Sequence, residues 1–256
     1  MNWLKQLLKL PLARAGYQFH RFNRTQIIPP EIPDPSLYTG PEDFSRLFRP
    51  WLGPEYERWF TPSVVQNTML SRQKLYFLLK LIRQTMAREG DVLEAGVGSG
   101  GSARLMLDCL LSAGGGQKRL WLLDTFAGYQ KVDCARDGGH VQLDQCKCNS
   151  KADVERLLVN AKVEVKLIEG LIPQTLAQVK TISLCFAHID VNLYEPTLAA
   201  TDFALERLVK GGAILFDDYC WPATFSARRA IDEVCARRGC EIICVPESTQ
   251  AFLINI

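Results

Sequence analysis

From Asp91 onward, hydrophobic runs of strand length alternate with segments of helical period. No other feature of the chain restricts its fold as strongly. The strand-like runs are DVLEAG, RLWLLDTF, VEVKLIEG, ISLCFAHID, GAILFDDY, EIICVP and QAFLINI. Helical segments are centred near residues 102–112, 151–160, 173–180, 196–209 and 224–238. Parallel neighbours need a crossover, usually a helix, so this alternation predicts an α/β fold with a doubly wound, mostly parallel, seven-stranded sheet. Only ESTQ and its flanks separate the last two runs, too little for a crossover. The final strand is therefore expected to pair antiparallel.

Two of the runs end in bare acids: Asp190 closes FAHID, and the pair Asp217–Asp218 closes GAILFDD. Acids in that place could simply cap a turn. Ligands of open α/β sheets, however, bind just beyond the carboxyl ends of the strands. Three carboxylates meeting there suit a hard cation such as Mg²⁺, which prefers oxygen ligands. The first run leads into a glycine turn, LEAGVGSGGSARLML, where Gly96, Gly98, Gly100 and Gly101 allow close backbone approach and Ser102 can cap the following helix. Gly96-x-Gly98-x-x-Gly101 matches the dinucleotide fingerprint, a weak sign by itself, and keeps a nicotinamide-dependent oxidoreductase open. Glu94 just before the turn suits a cationic ligand better than a pyrophosphate. Asp124 ends the second run, where an acid can bond both ribose hydroxyls, and Glu169–Gly170 end the third, where an adenine would lie.

The 256 residues suffice for one large domain with additions, and 47% hydrophobic against 23% charged residues is a globular composition. No apolar stretch has the length of a membrane span. The opening MNWLKQLLKLPLARAG lacks the unbroken apolar run of a secretory signal, and nine mostly scattered cysteines suit a reducing compartment, so a cytoplasmic location is expected. Cys146 and Cys148 form a C-x-C without a second pair at zinc-finger spacing. Residues 1–24 carry five basic groups and no acid, leaving the remainder at −3 of the total +2. Trp3, Leu4, Leu7 and Leu8 share a helical stripe there. Such a helix could lie on an anionic membrane, but packing on its own domain or on a second copy in a homodimer is favoured. Nucleic acid is not an expected partner. Residues 25–62 are rich in Pro, with aromatics from Tyr38 to Phe60 between them, and then VVQNTMLSRQKLYFLLKLIRQTMA reads as one helical stretch ending at Gly90. The division expected is a helical and irregular extension over 1–66 and a catalytic domain over 67–256.

Several stretches together resemble the macrocin-type family of metal-dependent O-methyltransferases, which act on sugars of macrolides and related natural products. They are NTMLSRQKLYFLLKLI, VLEAGVGSGGSARLM, WLLDTFAGYQ, LIEGLIPQTL, AHIDVNLYEPT and LVKGGAILFDDY, spanning Thr68 to Tyr219. The resemblance implies a Rossmann-like fold, S-adenosylmethionine as methyl donor, Mg²⁺, and a small-molecule hydroxyl acceptor, a sugar or glycoside first. By the resemblance, Asp190, Asp217 and Asp218 hold the metal. Glu94, Ala95, Gly96, Gly98 and Ser102 cradle the methionine part of the donor. Asp124, Thr125 and Phe126 meet its ribose and adenine, with Glu169 and Gly170 at the edge and Thr68 and Met69 approaching it. Where the family shows a second acid this chain has Asn192, and where catechol-type enzymes carry a lysine base it has Leu193. Base duty then falls on Asp190, on His140 in a polar glycine-containing loop, or on His188, which also reads as a satisfied core histidine. Tyr194 and Trp221 stand near the acids and could stack on an acceptor, and a catechol-type phenol remains an alternative to a sugar.

Overall fold

The strand Asp91–Ala95 (β1) is buried at every residue, as a central parallel strand must be when helices cover both faces of its sheet. The computed structural model describes residues 49–256 apart from 115–116, 139–142, 144–145, 161, 182 and 247. The basic segment 1–24 and His140 lie outside the described residues. One compact unit runs from Trp51 to Ile256.

Its sheet adds Arg119–Asp124 (β2), Glu164–Glu169 (β3), Leu184–Ile189 (β4), Leu208–Phe216 (β5), Ile243–Cys244 (β6) and Ala251–Ile254 (β7), in the order β3-β2-β1-β4-β5-β7-β6. The first five are mutually parallel, and β7 runs antiparallel to both β5 and β6. This is the Rossmann-like arrangement, and the short β6–β7 link explains its antiparallel end. Side chains of β1 and β2 alternate between two cores: Val92, Leu120 and Leu122 point to one, Leu93, Trp121 and Leu123 to the other. Chain order reverses between β1 and β4, which opens a crevice at their carboxyl ends.

The helices are Pro62–Val65 (α1), Arg72–Thr85 (α2), Gly101–Ser112 (α3), Cys134–Asp137 (α4), Lys151–Leu157 (α5), Tyr194–Arg207 (α6) and Phe225–Arg238 (α7). α2 and α3 cover one face of the sheet, and α6 and α7 the other. The expected single helix over 64–87 is instead α1 and α2, because Ser71 caps α2 by accepting from the Lys74 amide at 3.3 Å. The interruption frees residues 67–70 to line the crevice. Residues 174–178 form a 3-10 turn rather than an α-helix, and Leu208 and Val209 belong to β5 rather than to the helix before it. In the extension, Tyr56, Trp59, Phe60 and Val64 are buried in the core beneath α2 and α3. Burying such large aromatic area explains why the compact unit begins well before residue 67. Among the described residues no helix is long and apolar enough to cross a membrane.

Candidate active site

The glycine turn after β1 is held by its own backbone and by Asp124 at the end of β2. One carboxylate oxygen of Asp124 accepts from the amides of Val97 (2.7 Å) and Gly98 (2.8 Å), the other from Phe126 (2.8 Å). Gly96 has φ +88°, and a Cβ there would lie 2.0 Å from the carbonyl oxygen of Asp190, whose own amide donates to Ala95 at 2.8 Å. Only glycine permits that contact, so the ends of β1 and β4 are locked together. At Gly98, φ +55°, an added Cβ would meet only Cys148 Sγ, at 3.7 Å, so the turn faces open space. Gly101 has another use. Its amide donates to Asn67 O at 2.8 Å, and a Cβ would lie 2.4 Å from Val64 O. The last glycine of the motif therefore admits the segment between α1 and α2.

The crevice is lined by Thr68, Met69, Gly96, Gly98, Ser102, Asp124, Thr125, Gly170 and Asp190 among the residues expected from sequence. Glu94, Ala95, Phe126, Glu169, Asp217 and Asp218 are not in its wall. Glu94 and Ala95 are fully buried, Phe126 packs into the core, and Glu169 is exposed with Lys151 Nζ 4.0 Å away. Glu94 faces inward for a reason set by register: it sits opposite His188 across β1 and β4, and its Oε1 is 2.9 Å from His188 Nδ1. Burial pushes the Glu94 carboxyl up, with His188 pulling it down. Burial alone would depress His188, but the carboxylates of Asp217 and Glu94 outweigh it and raise the imidazole to about 10. An imidazolium has no lone pair to coordinate a metal or accept a proton. His188 is thus a buried counter-charge rather than a base.

Ligand atoms of His188, Asp190 and Asp217 lie within 4.8 Å of one another, at the ends of β4 and β5. Desolvation and the charges of Asp217 and Asp218 drive the Asp190 carboxyl well above the ordinary range, against His188 and Lys74. Asp217 is 2% exposed. Burial would raise it too, yet His188 and Lys74 prevail and hold it low. Lys74, on α2, places Nζ 2.5 Å from Asp217 Oδ2 and 3.0 Å from Asp218 Oδ1. Gln250 Nε2 donates to Asp217 Oδ1 at 2.8 Å, and Thr249 Oγ1 lies 3.4 Å from Asp218 Oδ1. The arrangement is a cluster of carboxylates, Asp217 buried and Asp190 and Asp218 half-buried, of which Asp190 reaches a glycine-floored crevice at a topological switch point.

Residues 57–242 match the family model for macrocin-O-methyltransferase (TylF). The chain belongs to that family. It is 29% identical over 188 residues, 70% of each chain, to 8-demethyl-8-(2,3-dimethoxy-alpha-L-rhamnosyl)-tetracenomycin-C 4'-O-methyltransferase of Streptomyces olivaceus. It is 25% identical to mycinamicin III 3''-O-methyltransferase of Micromonospora griseorubida, over 68% of this chain and 72% of that one. Among solved structures, the O-methyltransferase NovP superposes with a TM-score of 0.67 at 22% identity, covering 74% of this chain and 82% of its own. The calicheamicin methyltransferase CalS11 gives 0.63 at 20% identity, covering 93% and 98%. The two structures establish the fold. As a macrocin-type O-methyltransferase the protein is an enzyme, and the nicotinamide-dependent alternative falls away.

Several residues of this macrocin-type site were not anticipated. Lys74 gave no local sign, because its partners lie 143 and 144 residues further along the chain. Asp137, 3% exposed, accepts from the Tyr194 amide at 2.7 Å and so caps α6 while pinning the loop before α4. Asn192 turns its amide to the Tyr129 hydroxyl at 2.8 Å, which places a tyrosine on the crevice wall. Tyr194 and Tyr219 do not offer stacking faces to the crevice, since both are buried and bond to Glu233 and Asp232 of α7. Trp221 is half exposed.

Proposed function

We propose that this O-methyltransferase moves a methyl group from S-adenosylmethionine to a hydroxyl of a natural-product sugar or glycoside, at a site that also takes Mg²⁺. Methyl transfer is assigned to residues 67–256. The acceptor class rests on the relatives named for glycosides. The observation that carries the mechanism is the pair of carboxylates Asp190 and Asp217, with ligand atoms within 4.8 Å of each other, beside the glycine-floored crevice.

The glycine turn fits the donor. Gly98 leaves space where a side chain would stand, and Asp124 spends its oxygens fixing the turn's amides. S-adenosylmethionine supplies a methyl already activated by its sulfonium charge. The carboxylates of Asp190, Asp217 and Asp218 are the hard oxygen donors that Mg²⁺ prefers. Bound there, the ion would lower the pKa of a coordinated hydroxyl. Asp190 reaches the crevice wall and is the base for the acceptor proton. Of the three acids it is the one that lines the crevice, where an acceptor hydroxyl would stand. Gly96 presses on the Asp190 backbone, so donor loop and base keep a fixed relation, as in-line transfer demands. His188 and Glu94 beneath them set the charge of the floor.

The test is donor turnover on a panel of rhamnosides, macrolide glycosides and catechols, with and without EDTA. Methylated glycoside is expected, lost with EDTA and restored by Mg²⁺. Turnover indifferent to EDTA would remove the metal from the reading, and methylation of catechols alone would remove the sugar.

A further inference from the structure

A cation already stands between the two acids that follow β5. Lys74 Nζ touches one oxygen of each, Asp217 Oδ2 at 2.5 Å and Asp218 Oδ1 at 3.0 Å. Those two carboxylates are the ones that would hold Mg²⁺, a cation that prefers such oxygen donors, and the ammonium already occupies an oxygen of each. We propose that Lys74 is an internal competitor for the divalent cation, holding Asp217 and Asp218 together in its absence and leaving them when it binds. The inference rests on the reading of these acids as a divalent-cation site.

The surroundings favour exchange over a permanent ion pair. α2 is anchored by Leu75, Leu78, Leu79 and Ile82, all fully buried, so the backbone of Lys74 is fixed and only its four-carbon side chain can move. That side chain is 18% exposed, which leaves it a way out to water. When it departs, Gln250 Nε2 still holds Asp217 and Thr249 Oγ1 still stands by Asp218. Charge points the same way. Among the described residues the cations paired with Glu94, Asp217 and Asp218 are Lys74 and His188, so a dication in place of an ammonium meets a cluster that remains short of positive charge. The lysine thus lowers the cost of keeping a buried and a half-buried carboxylate side by side until the ion arrives.

Mn²⁺ is the probe, its free concentration followed by electron paramagnetic resonance. Lys74→Met should bind Mn²⁺ on the order of tenfold more tightly than the natural protein, or better. Asp217→Asn introduced into that variant should abolish the gain. A separate measurement uses the natural protein alone: mass spectrometry of an amine-acylating reagent should find Lys74 labelled faster when Mn²⁺ is added. Equal or weaker Mn²⁺ binding by Lys74→Met, or labelling that Mn²⁺ leaves unchanged or slows, overturns the proposal while leaving the metal site standing if Asp217→Asn still loses the ion. Absence of Mn²⁺ binding in both proteins overturns the competitor and the metal reading together.

Discussion

The two halves of the site lie side by side at the carboxyl ends of the inner strands and are built from different materials. At the ends of β1 and β2 the crevice is backbone: glycines at positive φ and amides gathered by a single carboxylate, Asp124. At the ends of β4 and β5 it is side chains: acids balanced by His188 and Lys74. A backbone cradle suits a ligand whose shape never changes. A charge cluster suits chemistry, because its protonation and counter-ions can shift. The halves join at one point, where Gly96 lies against the carbonyl of Asp190.

The division is broken most severely at that junction's acid. Asp190→Asn keeps the shape and removes the base, so kcat should fall by about 10²–10⁴-fold. Donor affinity, carried by the other half, should stay within about threefold, the scatter expected of a site whose contacts are untouched. Steady-state kinetics and calorimetric titration with S-adenosylmethionine check both statements, and a matching collapse of donor affinity would show that the halves are one unit. A base must be deprotonated to act, so activity should fall on acidification as Asp190 takes up a proton.

The counter-charge beneath the acids comes next. Glu94→Ala strands a buried imidazolium and should destabilise the fold by about 3–5 kcal/mol, read from denaturant midpoints. If Glu94 instead served the donor, affinity would drop with little loss of stability.

Glu94 also shows where sequence reasoning ends. An acid before a glycine turn reads as facing a ligand, and the turn itself was legible, as were the mostly parallel sheet and its antiparallel end, because they follow from local period and link length. The partner of Glu94 becomes visible only when β1 and β4 are known to be neighbours in register. Lys74 is the same problem at longer range, for nothing in RQKLYFLL announces two acids just past β5. The break between α1 and α2 lies between these cases. Ser71 carried a capping signal, but the apolar period running through it concealed the stop. Features made of backbone are written locally, whereas balanced charge is written across the sheet.

The smallest expected effect falls on the backbone half. Gly98→Ala must keep φ near +55°, which costs an L-residue about 1–2 kcal/mol, but its Cβ meets only Cys148 Sγ at 3.7 Å. The melting temperature should drop by a few degrees, about 2–4 °C per kcal/mol in a chain of this size. The methyl would stand over the open floor of the turn, so S-adenosylmethionine should bind several-fold more weakly, about 1 kcal/mol. Mn²⁺ binding by the acid half should be unaltered, since no contact joins Gly98 to Asp217 or Asp218. A matching loss of Mn²⁺ affinity would mean that strain in the turn reaches the acids through Gly96, and the two materials would then form one mechanical piece.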